Sequence, residues 1–152
     1  MAKGRFNGSI INKMQLKLPA LSANEGMARA AVAAFCSQLD PSAVDIADIK
    51  CAVSEAVTNC IVHAYRYLAD SEEGYIYISA RLYDNREITV EISDNGCGIA
   101  DVDAARAPMF TTGGEERCGM GFLVMESFTD SLNVKSKLGK GTTVLMRKKL
   151  KP

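Results

Sequence analysis

The chain has 152 residues, 47% of them apolar and 24% charged, a balance that suits one globular domain with its own core and excludes a disordered chain. Eighteen basic residues offset eighteen acidic ones, so no overall field attracts a phosphate backbone and no direct nucleic-acid partner is expected. No apolar run approaches the roughly 20 residues that cross a bilayer, and the opening MAKGRFNGSI lacks a secretory core, so no membrane association is expected.

Residues 1–13 read as a flexible N-terminal extension and residues 14–150 as a single domain. Met14, Leu16 and Leu18 alternate with polar residues and predict a short strand. Ser22 and Glu25 have capping-box spacing and announce a helix through Met27, Ala30, Ala31, Ala34 and Phe35 that stops near Asp40-Pro41. Asp40 is the expected N-cap of a second helix, with Pro41 in its first turn. Ile46, Ile49, Val53, Ala56, Val57, Cys60, Ile61 and Ala64 carry that helix through Tyr67 at helical period.

Residues 75–83 and 88–92 are rich in β-branched and aromatic side chains and read as a hairpin around Asp84-Asn85. A glycine-punctuated loop follows at 94–99. Residues 101–118 look irregular, with room for a short helix at their start. Gly119-Met120-Gly121 opens another helical pattern over 122–128, and strands over 131–136 and 142–149 close the chain around Gly139 and Gly141. This order predicts an α+β fold, a two-layer α/β sandwich with one mixed, mostly antiparallel sheet and helices on one face.

The five cysteines, Cys36, Cys51, Cys60, Cys97 and Cys118, form no CxxC pair. Neither zinc nor a disulfide framework is supported, and free, mostly buried thiols in a reducing cytoplasm are the simplest reading.

Three clusters carry chemistry. Glu55, Asn59 and His63 fall four residues apart and would form one polar stripe on a helix. The Asn59 carbonyl is a hard donor suited to Mg2+, and Glu55 could act as a general base; a solvated helix face has the same composition. Asp94, Gly96, Gly98 and Ile99 spell D-x-G-x-G-I after a strand. That places a carboxylate where it can accept from an exocyclic amine, with glycines that let backbone approach a flat ring; a tight surface turn would look alike. Thr111-Thr112-Gly113-Gly114 through Gly119-Met120-Gly121-Phe122 leads glycines into a helix, whose free N–H groups and dipole attract phosphate; flexible loops share that signature.

In order, E-x-x-x-N on a helix, D-x-G-x-G-I after a strand and G-x-G-F opening a helix resemble the three boxes of the GHKL ATPases. The resemblance covers residues 14–150 and implies a Bergerat-type fold with ATP or ADP beneath a lid of roughly residues 101–118. S-E-A-V-T-N, F-T-T, E-R-x-G-M-G-F and L-S-x-N-E-x-x-A-R are similar to the anti-sigma F factors within that superfamily. That likeness implies a homodimeric serine kinase that inhibits the sporulation sigma factor F and phosphorylates its anti-anti-sigma antagonist. It implies Glu55 as base, Asn59 as Mg2+ ligand and Asp94 as adenine contact. Gly96, Gly98, Ile99, Thr111, Thr112, Gly119, Met120, Gly121 and Phe122 would line the nucleotide, with His63 beside them and Thr143 on the adenine side. Arg117 would reach the γ-phosphate, and Arg29 would meet a protein partner. A sister kinase of the anti-sigma B type and a nucleotide-sensing module without catalysis are the alternatives.

Overall fold

The sheet follows from alternation. The computed structural model describes residues 8–65, 74–107 and 118–152, with side chains in the last stretch from residue 121 onward. Five strands, β1 (Ile10–Pro19), β2 (Tyr75–Tyr83), β3 (Glu87–Asp94), β4 (Ser131–Lys137) and β5 (Gly141–Lys149), pair in the order β1-β2-β3-β5-β4. Ile76, Ile78, Ala80 and Leu82 of β2 and Ile88, Val90 and Ile92 of β3 are buried, as are Val144 and Met146 of β5. Successive side chains of a strand point to opposite faces, so these residues share the face that the helices cover. Burying each of the larger ones stabilises the fold by about 2 kcal/mol.

The two-layer α+β expectation holds, and in one detail it is corrected: every pairing is antiparallel, so the sheet is not mixed. Two helices, α1 (Ala23–Cys36) and α2 (Ala43–Asn59), separate β1 from β2 and return the chain in the opposite sense. β3 and β4 do run parallel, because each is antiparallel to β5, but β5 lies between them. α3 (Val102–Arg106) and α4 (Cys118–Ser127) occupy that crossover. α2 packs against both α1 and α4. Among the described residues no helix is long and apolar enough to cross a membrane.

Three local expectations are overturned. β1 begins at Ile10, which pairs with Tyr83, so residues 10–13 belong to the sheet; residues 1–7 lie outside the described part. The Ser22 capping box does not form. Ser22 is itself helical (φ −55, ψ −33) and its side chain caps nothing, because an N-cap needs extended backbone to turn its oxygen onto the first turn. Ser42 meets that condition (φ −64, ψ 161) and accepts from the Asp45 N–H at 3.1 Å. Asp40 instead closes a 3-10 turn at Ser37–Leu39 in left-handed conformation (φ 51).

The expected continuation of α2 through Tyr67 also changes character. The α-helix ends at Asn59 and a π turn covers Cys60–Ala64, with Tyr65 leaving it. Residues 66 and 67 lie outside the described part. At the other end of β3, Arg86 donates to the carbonyls of Leu39 (2.8 Å) and Lys151 (3.2 Å). Nearby Asp45, 1% exposed, accepts from the Lys151 N–H at 3.0 Å and faces the Lys148 ammonium at 3.9 Å.

Candidate functional site

The C-terminal end of α2, the end of β3, the start of β5 and the first turn of α4 converge on a cavity of about 290 Å3. Asn59, Cys60, His63, Asp94, Gly98, Ile99, Phe122 and Thr142 are among its lining residues. A volume near the lower end of small-molecule sites, with apolar walls and a few polar groups, suits a flat ligand that extends out of the cleft.

Asp94 is there by strand parity. Ile88, Val90 and Ile92 face the core, and Asp94 is the next residue of that set, at the strand's last position. The residue is 8% exposed. Oδ1 accepts from the N–H groups of Gly96 (2.9 Å) and Thr142 (3.2 Å), while the Cys60 thiol donates to Oδ2 at 3.6 Å. Burial pushes the carboxyl above its usual range, and these three donors pull the other way. Burial, with the Asp94 charge added, pushes the Cys60 thiol well up, so the thiol keeps its proton and remains a donor.

The loop after β3 is docked onto the π turn. The Cys97 N–H donates to the Ala64 carbonyl at 2.7 Å, and the Asn95 N–H donates to the Tyr65 hydroxyl at 2.9 Å. That hydroxyl in turn donates to the Tyr75 carbonyl. A Cβ at Gly96 would fall 2.1 Å from the Ala64 oxygen, and one at Gly98 (φ +73) would fall 2.1 Å from the Lys137 oxygen. Both positions therefore require glycine, on contact grounds at Gly96 and on contact and backbone grounds at Gly98. The Ile99 N–H donates to the Ser136 hydroxyl at 2.7 Å, so the loop is tied to β4 as well.

The expected site residues divide into groups. Asn59, His63, Asp94, Gly98, Ile99 and Phe122 line the cavity together, and Gly96 holds its floor in place. Gly121 faces the Asn59 amide, 3.2 Å from where a Cβ would stand, which brings the first turn of α4 over Asn59. Gly119 and Met120 belong to that turn. Glu55 lies one helical turn before Asn59 and is not among the lining residues. Arg29 lies on α1, donates to Glu25 at 2.8 Å, and is tied through that carboxylate to the Ser54 hydroxyl of α2. Thr111, Thr112 and Arg117 lie outside the described residues.

Thr143 is a correction. It pairs with Ser93 and Lys135, and parity along β5 turns it away from the face that Val144 and Met146 bury. Thr142 lines the cavity in its place, and counting back by two from Val144 would have found it. Cys60 was also missed as a site group, because its spacing assigned it to the apolar face of α2. Leu138, in the β4–β5 turn, reaches the cavity rim without any sequence signal. Among the four described cysteines all are free, with Cys36 and Cys60 buried and Cys51 exposed.

The histidine kinase-like ATPase domain family matches residues 18–148. The anti-sigma F factor of Caldanaerobacter subterraneus is 55% identical over 138 residues, covering 90% of this chain and 93% of the relative. That of Clostridium acetobutylicum is 49% identical over 139 residues, covering 91% and 94%. The chain belongs to the anti-sigma F factor family. Its GHKL-type domain is a nucleotide-binding one, as the ATPase family match implies. A crystal structure of the RsbU and RsbW domains of a Mycobacterium tuberculosis protein shares the fold, with a TM-score of 0.68 at 21% identity. That match covers 93% of this chain and 33% of the other.

Proposed function

We propose that this anti-sigma F family chain binds ATP or ADP in the cavity between α2, α4 and β5, and transfers the γ-phosphate to a serine of an anti-anti-sigma protein. In the same reading a homodimer of the chain holds the sporulation sigma factor F inactive. The observation that carries the nucleotide assignment is Asp94, which lines the cavity with one carboxylate oxygen saturated by backbone N–H groups and the other accepting from the Cys60 thiol. An acceptor so placed suits the 6-amino group of adenine.

The remaining groups follow from their positions. The first turn of α4, opened by Gly119, Met120 and Gly121, offers N–H groups to phosphate oxygens beside Asn59. Among the described residues no group of three or more His, Cys, Asp or Glu side chains could hold a metal. Mg2+ would be held by the Asn59 carbonyl oxygen and the phosphates themselves, and would neutralise phosphate charge. Glu55, outside the cavity lining, stands where a protein serine could approach it from solvent. It takes the serine proton as the oxygen attacks the γ-phosphorus and ADP leaves. Thr111, Thr112 and Arg117 would complete the phosphate end, and Arg29 would face a partner protein.

The test is incubation of the chain with labelled ATP, Mg2+ and the cognate anti-anti-sigma protein. Phosphoserine on the partner is expected, and Asn59→Ala is expected to abolish it. The second reading is a nucleotide-sensing module that transfers nothing; Glu55 argues against it, because a pure binder needs no base. Nucleotide binding without phosphoserine would select that module. An anti-sigma B type kinase differs only in partner, and co-purification with each sigma factor separates the two.

A further inference from the structure

We infer that Cys60 is a specificity-determining residue of the nucleobase pocket: its thiol holds Asp94 as a pure acceptor, which selects a 6-amino purine over a 6-oxo purine. The inference rests on the reading of the cavity as the nucleotide site.

Cys60 is 4% exposed, opens the π turn, and lines the same cavity as Asp94. Its Sγ lies 3.6 Å from Oδ2. Oδ1 already accepts two backbone N–H groups, so Oδ2 is the oxygen left for a base, and among the described residues the thiol donates to it. A buried carboxylate tends to take a proton. Protonated Asp94 would present an O–H at Oδ2, matched to the carbonyl of a 6-oxo purine and mismatched to a 6-amine. A donor on Oδ2 opposes that protonation.

Other titratable side chains lie around Asp94. His63 and Cys97 line the cavity, and the Cys97 thiol is directed at the His63 carbonyl, 3.4 Å away. Tyr65 is engaged by Asn95 and Tyr75. α4, β5 and the β4–β5 turn contribute no titratable lining side chain among the described residues.

The test measures dissociation constants for ATP and ITP, by competition against a fluorescent ATP analogue at pH 6 and pH 8. It compares the unaltered protein with Cys60→Ala and with Cys60→Val, which keeps bulk but has no donor, and each ratio is taken on protein that melts cooperatively. The preference for ATP over ITP is expected to fall about fivefold in both variants, and further at pH 6 than at pH 8. An unchanged preference, or an equal loss for both nucleotides at both pH values, overturns the inference and leaves the nucleotide reading standing. Failure of the unaltered protein to bind either nucleotide overturns both.

Discussion

The two ends of β3 bury charge in opposite ways. At its start, Arg86 is spent on the carbonyls of Leu39 and Lys151, and the Asp45 carboxylate on the Lys151 N–H and the Lys148 ammonium. Every partner there is another part of the chain, and the effect is to clasp the C-terminus to the helical layer. At its other end, Asp94 is also buried, yet it lines a cavity. A buried charge whose partners are all internal holds a fold together; one that lines a cavity is poised for a ligand.

Breaking each end should therefore give different losses. The largest expected effect is at the clasp. Asp45→Ala leaves Lys148 with Asp48 and the Phe128 carbonyl only and orphans the Lys151 N–H, costing about 3 kcal/mol in a denaturant titration. Nucleotide affinity of the folded protein should not change. A loss of affinity comparable to the loss of stability would show that the two ends are coupled.

Asp94→Asn should give the mirror image. Replacing the acceptor should weaken ATP binding about 100-fold, the scale of a hydrogen bond to a charged group. Stability without nucleotide should rise at neutral pH. The folded state raises the Asp94 carboxyl above its ordinary value of 3.8, so it holds that proton more tightly than the unfolded chain does. Stability is lost as pH climbs from 3.8 through the raised value. Asn does not ionise, so its melting temperature should exceed that of the unaltered protein at pH 7, and the gap should close below pH 3.8. A gap that does not vary with pH would assign the difference to packing.

Gly98→Ala should affect both properties at once. It combines a left-handed backbone with a contact against Lys137, and should cost about 2 kcal/mol of stability while separating the loop from β4 and weakening nucleotide binding. The smallest effect tests the caps. Ser42→Ala should cost about 1 kcal/mol and Ser22→Ala almost nothing, since only Ser42 makes a capping bond. Equal costs in thermal melts would contradict the assigned geometry.

Much of this was legible before any coordinates. Alternation marked β1, β-branched and aromatic composition marked β2 to the residue, and helical period found α1, α2 and α4. The three boxes come together in the structure: Asn59 and Asp94 line one cavity, and Gly121 faces Asn59. The misreadings share a cause. Ser22 and Asp40 have capping chemistry, but capping is decided by backbone dihedrals that distant packing imposes. Thr142 and Thr143 are chemically identical neighbours, and only strand register says which one faces the cavity.

Local periodicity by itself determined the layers, because burial rewards the same side-chain spacing wherever a strand or helix forms. It put Asp94 in the loop after the strand, and the structure makes Asp94 the last inward-facing residue of β3. Tertiary structure alone decided that α2 ends in a π turn, that this turn sets a thiol against the Asp94 carboxylate, and that Glu55 stays outside the cavity Asn59 lines. Those outcomes depend on how α2, β3, β5 and α4 meet, and contacts between segments far apart in the chain leave no period in the sequence to read.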